Sequence, residues 1–271
     1  MKISVAIPLF FLSIILQSCS TKIRNINNDV LKTGLKDSTN IETAKGLETN
    51  NHISNNVYFK ATGTEPFWGL EISESLIKLT IIGDSIVTPH TVPVHAMDAN
   101  VKMYRIQTES NEIAIHIVQS ECTNAMSGKV SPYTVTIEYR KNTDKKLTTL
   151  QGCGHYITDY RLHDIWVLMK INGSDISKEN FSQEFPTMEI NSATNTFLGF
   201  AGCNRMNGSL FPEKELLRFT NIATTKMMCG PANKEPEFLK ALQSTTTYKI
   251  ENNRLILSNS GNELLIFKKI D

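Results

Sequence analysis

No stretch of the 271-residue chain holds the 18 or so consecutive apolar residues that a membrane-crossing helix requires, which excludes a helical spanning protein. Neither sign of charge is in excess: Lys and Arg total 28 against 27 Asp and Glu, and Lys2 falls in a leader expected to be removed, so the remainder balances. A neutral chain has no reserve for gripping a phosphate backbone, and this disfavours a nucleic-acid binder. The spacings of several chemistries are also missing. There is no C-x-x-C to suggest zinc, no G-x-x-x-x-G-K-[ST] to wrap phosphate and no G-x-S-x-G elbow. Ser127-Gly128-Lys129 fails as S-x-x-K because Val130 takes the fourth place. What is there, 40% hydrophobic and 20% charged residues, suffices for a packed globular core in one or two domains.

Met1-Lys2 is a short positive start, and Ser4 to Leu16 is an apolar run followed by Gln17, Ser18 and Cys19. Thirteen residues at ~1.5 Å each fall well short of a ~30 Å hydrocarbon layer, so the run reads as a signal-peptide core. Leu16, Ser18 and Cys19 at its end resemble the lipobox of bacterial lipoproteins, which implies cleavage after residue 18 and acylation of Cys19 on its sulfur and its new amino terminus. More than one acyl chain gives stable attachment to a membrane surface, each buried methylene contributing ~0.8 kcal/mol. Ser20 stands where an inner-membrane retention signal places Asp, so the resemblance implies the outer membrane facing the periplasm. Residues 19–56 contain eight asparagines from Ser20 onward and no aromatic residue; they bury too little to offset their ordering entropy and read as a flexible tether.

From Tyr58 the pattern changes. Ile113, Ile115 and Ile117, like Tyr133, Val135, Ile137 and Tyr139, alternate with polar or small residues, the period of a half-buried strand. Further strands are expected at Val57 to Ala61, Phe67 to Ile72, Leu76 to Ile82, Val101 to Gln107 and Leu147 to Gln151, with turn chemistry at Gly63 and Gly83-Asp84. Residues 57–160 thus form an all-β module, and 161–271 a second β-rich domain. The second has hairpin signals at Asn172-Gly173, Asn207-Gly208, Asn252-Asn253 and Ser260-Gly261. One helix interrupts it: Asn233 can cap a first turn holding Glu235, Pro236 and Glu237, and Phe238, Leu239 and Leu242 share one face. The fold class is mainly β, two small barrel-like or sandwich-like bodies, the second α+β with a short helix packed on a curved antiparallel sheet.

Setting Cys19 aside, four cysteines allow three pairings. If the boundary near residue 160 holds, pairing Cys122 with Cys153 and Cys203 with Cys229 keeps the two domains independent, and an oxidising periplasm favours it. The rival reading is metal ligation, for Cys153-Gly154-His155 and Met227-Met228-Cys229 offer nitrogen and soft sulfur. His90 and His95 read as solvent-exposed loop histidines, and His116 as the outer face of a strand. Trp68 and Trp166 read as core anchors rather than stacking platforms. Gly199, Gly202 and Gly208 suit close strand approach, and Arg205 a local ion pair. No catalytic residue, metal ligand or cofactor emerges.

Residues Trp166-Val167-Leu168, Gly199-Phe200-Ala201-Gly202-Cys203-Asn204-Arg205, Ile222 to Cys229 (IATTKMMC) and Glu237 to Leu242 resemble the META domain of HslJ-type heat-inducible envelope proteins, from about Leu162 to Lys269. The resemblance implies a small β-rich α+β fold found in envelope lipoproteins linked with heat induction and novobiocin resistance, with no established biochemical activity. Gly63-Thr64-Glu65-Pro66-Phe67-Trp68, Cys122 with Met126-Ser127, Pro132 to Val135 and Gly152-Cys153-Gly154 resemble an uncharacterised lipoprotein module that often accompanies META domains. The expectation is a non-enzymatic, lipid-anchored envelope protein supporting stress or antibiotic tolerance by binding an envelope protein or small ligand. The alternatives are a lysozyme-inhibitor-like binding module, whose reactive loop would be Ser127-Gly128-Lys129, and an envelope hydrolase.

Overall fold

Alternation of buried and outward residues builds nine strands in the first half of the folded chain: β1 (Val57–Thr64), β2 (Phe67–Ser73), β3 (Leu76–Ile81), β4 (Asp84–Pro89), β5 (Val94–His95), β6 (Val101–Gln107), β7 (Asn111–Thr123), β8 (Val130–Lys141) and β9 (Thr148–Tyr156). They form one antiparallel sheet in the order β4-β3-β2-β1-β9-β8-β7-β6-β5. On its inner face Ile113 opposes Tyr139, Ile115 opposes Ile137 and Ile117 opposes Val135, stacking apolar cross-strand pairs into a core with Phe59, Trp68 and Leu70. The computed structural model describes residues 57–270 except 142, 143, 145, 182 and 183, all within one compact unit. The expected leader 1–18, lipid-bearing Cys19 and tether 19–56 lie outside the described residues.

A 3₁₀ turn at Tyr160–Leu162 leads into a second sheet of β10 (Ile165–Ile171), β11 (Ser174–Asp175), β12 (Thr187–Asn191), β13 (Thr196–Phe200), β14 (Arg205–Glu213), β15 (Leu216–Thr224), β16 (Thr247–Glu251), β17 (Arg254–Asn259) and β18 (Asn262–Lys269). Besides β12, strand β10 pairs with β18, so the sheet curls back on itself. The single helix, α1 (Glu235–Ser244), lays Phe238, Ala241 and Leu242 into the core of this sheet. No helix among the described residues is long and apolar enough to cross a membrane.

Most turn signals produce turns. Asn172-Gly173, Asn252-Asn253 and Ser260-Gly261 all take positive φ at both positions, the geometry that matches the twist of a two-residue hairpin. Two do not. Gly63 lies inside β1, where a Cβ would come 2.0 Å from Trp68 Nε1. Gly152 faces the same ring, 2.7 Å from it by the same construction, so the two glycines form a slot for Trp68, whose indole N–H donates to Gln151 O at 3.2 Å. Asn207-Gly208 lies inside β14, where the register with β15 slips between Asn207 and Ser209. Gly208 serves close approach there, because a Cβ would meet the Phe197 ring at 2.5 Å. The helix also begins slightly differently from the sequence reading. Lys234 is the flanking residue, yet the Asn233 side chain accepts from the Glu235 N–H at 2.8 Å and satisfies the donor a cap would.

Candidate functional site

Between β13 and β14 the chain makes a tight excursion, Ala201-Gly202-Cys203-Asn204, whose backbone donors point inward and need an acceptor. Glu235, at the first turn of α1, supplies it. Its Oε2 accepts from the N–H groups of Cys203 (3.0 Å) and Asn204 (2.6 Å), and Oε1 accepts from Asn204 Nδ2 (2.8 Å). A carboxylate at a helix N-terminus is further favoured by the helix dipole. Asn204 then reaches across to the segment after β15: its Oδ1 accepts from Thr225 Oγ1 at 2.8 Å and from the Met227 N–H at 2.7 Å. Asn233 Nδ2 donates to Gly202 O at 3.1 Å, and a disulfide joins Cys203 to Cys229. The two motif segments and the helix start are thereby knotted together, with Asn204 and Glu235 both buried.

The outer side of this knot is a groove of about 730 Å³ lined by Glu184, Thr187, Leu198, Gly199, Phe200, Cys203, Arg205, Thr225 and Met227. Leu198 is 56% exposed and Met227 53%, so the walls carry apolar surface that the fold leaves uncovered. Arg205 anchors itself by its backbone N–H to Thr225 Oγ1 at 3.1 Å. Its guanidinium forms no ion pair among the described residues, against the local pairing expected for it, and remains available to an anion. The groove therefore offers apolar surface, the unspent Arg205 guanidinium and the exposed carboxylate of Glu184.

Other charged clusters are spent internally. Glu213, at the tip of the β14–β15 hairpin, is buried against the first sheet, where its carboxylate accepts from Asn100 Nδ2 at 2.8 Å and Lys102 Nζ at 3.0 Å, and from Arg218 of its own sheet at 2.7 Å. Burial opposes its ionisation, but the Tyr133 hydroxyl, Lys102 and Arg218 outweigh that and hold its carboxyl below the usual range. The Lys102 ammonium sits 5.2 Å from the centre of the Tyr156 ring, while Phe211 packs on the first core. A second cleft of about 570 Å³ includes Tyr58, Glu74, Asp159, Arg161, Lys214 and Tyr248. Its ions pair with each other, Arg161 with Asp159 at 2.6 Å and Lys214 with Glu74 at 3.3 Å, and burial with the nearby Asp159 pushes Tyr248 up to about 12.

The remaining residues singled out in the sequence are dispersed. A disulfide joins Cys122 to Cys153 across β7 and β9. His155 is not gathered with them into a ligand set; among the described residues that arrangement occurs only at Cys203, Cys229 and Glu235. His95 is exposed, in β5 rather than a loop, and His116 lies on β7 opposite the buried isoleucines. His90 departs from the exposed-loop reading: it is half-buried and its Nε2 bonds the Tyr58 hydroxyl at 2.9 Å, an aromatic contact from 32 residues away that spacing could not reveal. Burial, then Lys214, pulls its pKa down. Trp68 and Trp166 are buried. Ser127-Gly128-Lys129 forms an exposed turn between β7 and β8, with Asn124 Oδ1 accepting from Ser127 N–H at 2.9 Å and Ser127 Oγ at 3.0 Å. Sequence reasoning placed Glu235 in the first turn of the helix but missed its role as acceptor, and it missed Glu213; both look like ordinary surface acids until the fold buries them.

A curled antiparallel sheet with one helix laid on its core, knotted by a cystine, defines a mainly β, α+β class for the second half of the chain. The resemblance carried by its two motifs is borne out: the META domain family model matches residues 162–271. Solved structures are similar over the same share of the chain. One, an NMR structure of a protein from Burkholderia xenovorans, is 24% identical and covers 41% of this chain and 85% of its own, with a TM-score of 0.33. Another, a crystal structure of a DUF4847 family protein from Bacteroides vulgatus, is 17% identical and covers 41% and 96%, with a TM-score of 0.29. Among curated proteins none matches.

Proposed function

We propose that this protein is a lipid-anchored component of the bacterial envelope, held by Cys19 to the outer membrane's periplasmic face, and that it works by binding a small amphipathic anion in the META-domain groove rather than by catalysis. The single observation that carries the reading is the combination of uncovered Leu198 and Met227 with the unpaired Arg205 guanidinium on a rim immobilised by the Asn204–Glu235 knot. A rigid apolar wall with one cation selects a ligand with a hydrocarbon body and an acidic head. Sequestering such amphiphiles accords with a role in stress or antibiotic tolerance. Against a hydrolase, the histidine side chain with a hydrogen-bond partner among the described residues, His90, bonds a tyrosine and not a serine or cysteine.

The test is titration of the folded chain with a fluorescent long-chain carboxylate. Saturable binding is expected, weakened about 10-fold by Arg205→Glu, equivalent to ~1.4 kcal/mol, and unchanged by Lys78→Glu on the first sheet. No saturable binding, or equal binding by both variants, contradicts the reading. One observation favours a second reading: the Ser127–Lys129 turn is exposed at the end of the β7–β8 hairpin, as a lysozyme-inhibiting loop would be. Lysozyme activity unchanged by a large excess of the protein removes it.

A further inference from the structure

We propose that reduction of the Cys203–Cys229 disulfide opens a binding site for a thiophilic divalent cation such as zinc, held by the two thiolates and the Glu235 carboxylate. Both sulfurs and a carboxylate oxygen of Glu235 already lie within 4.8 Å of one another. Tetrahedral zinc, with bonds of ~2.3 Å to sulfur and ~2.0 Å to oxygen, sets its ligand atoms ~3.5–3.8 Å apart. The cluster therefore needs the S–S bond broken, the sulfurs parted from bonding distance to about 3.8 Å and the carboxylate oxygen drawn in by about an ångström, within reach of side-chain rotation across a Cα–Cα distance of 6.0 Å.

The carboxylate can take part without leaving its present role. It has about four lone-pair positions, of which three accept from Cys203 N–H, Asn204 N–H and Asn204 Nδ2, so one on Oε1 remains. Asn204 Nδ2 also lies 3.4 Å from Cys229 Sγ, which places an orienting donor beside two of the three ligands. Cys203 is deeply buried and Cys229 half-buried, and the groove lined by Cys203 and Met227 provides the way in and room for a fourth ligand from solvent. Cys122–Cys153 has no third ligand gathered beside it among the described residues and is the internal contrast.

The step balances as thiol–disulfide exchange. A dithiol reductant gives two electrons and two protons to the cystine and becomes a disulfide itself, leaving thiols at Cys203 and Cys229; cation binding releases those two protons to solvent. Oxidised, the position is a brace; reduced, it is a soft-metal site. This inference stands independently of what occupies the groove.

The test uses the full chain as Cys19→Ser with Cys122→Ser and Cys153→Ser, so that one cystine remains, reduced with a water-soluble phosphine and titrated with cobalt(II). One cobalt per chain with a thiolate-to-cobalt charge-transfer band, displaced by zinc, is expected in the reduced protein and absent before reduction. Cys203→Ser and Cys229→Ser abolish the two-thiolate band. Glu235→Gln and Glu235→Asp, each first shown to melt cooperatively when oxidised, weaken cobalt binding by about 10-fold or more. A reduced chain that takes up no cobalt, whether or not its fold survives reduction, overturns the proposal. So does a band that persists at equal affinity in both Glu235 variants.

Discussion

At the scale of single residues, the signature of the second sheet is explained by satisfaction of buried polar groups. Asn204 bonds at both ends of its amide, so replacing it with Ala takes a partner from the Glu235 Oε1, the Thr225 hydroxyl and the Met227 N–H together. Asn204→Ala is expected to destabilise by ~2 kcal/mol, read as a lower melting temperature, because the buried Glu235 carboxylate loses a donor while Thr225 and Met227, both exposed, turn to water. Glycines separate by the same logic of space. At Gly63 an added Cβ meets Trp68 and Gln151 O, whereas at Gly69 nothing lies within 4 Å. Gly63→Ala should therefore cost ~1–3 kcal/mol while Gly69→Ala stays near neutral, in parallel denaturant titrations. The tryptophans' apolar bulk announced them as core, but the glycine slot is a contact between strands and is invisible in one line of text.

The decisive element is the β14–β15 hairpin, whose tip carries Glu213 into the first sheet. Lys102 and Glu213 side chains are 12% and 3% exposed, so this pair is desolvated and its loss is not screened away by water. Glu213→Ala is expected to cost ~3 kcal/mol, since it leaves Lys102 and Arg218 facing each other without their carboxylate. The sign of the pH dependence follows from the lowered folded-state carboxyl. The pair contributes in full above the unfolded value near 4.5 and is lost as pH falls through the lower folded value. Glu213→Gln should then lose stability at neutral pH and show a flatter acid limb than wild type in melting scans. That this hairpin lies in a β-rich stretch was legible in the sequence. Its long-range partners, Asn100 and Lys102, were not, because charge pairs a hundred residues apart leave no local pattern.

For the whole molecule, two cystines tie loops of 31 and 26 residues. Each constrains the unfolded chain by ~3.5 kcal/mol in the chain-entropy view. Cys229→Ser should lower the melting temperature of the oxidised protein and change little after reduction. Mainly β architecture, the helix and the C-terminal meander were readable because period-two alternation and paired positive-φ turn residues are local. Curling of the second sheet through β10–β18 was not, since closure depends on Ile165 to Ile171 meeting the last strand. The groove became visible only once Leu198 and Met227, ordinary apolar residues in sequence, were found uncovered beside Arg205.

Methyl NMR of the full chain during titration with an anionic amphiphile tests the central claim most directly. The account predicts saturable shifts confined to Leu198, Thr187, Thr225 and Met227, moved to about 10-fold higher ligand concentration in Arg205→Glu. Shifts centred on the first sheet, or shifts that survive the charge reversal unchanged, would contradict it.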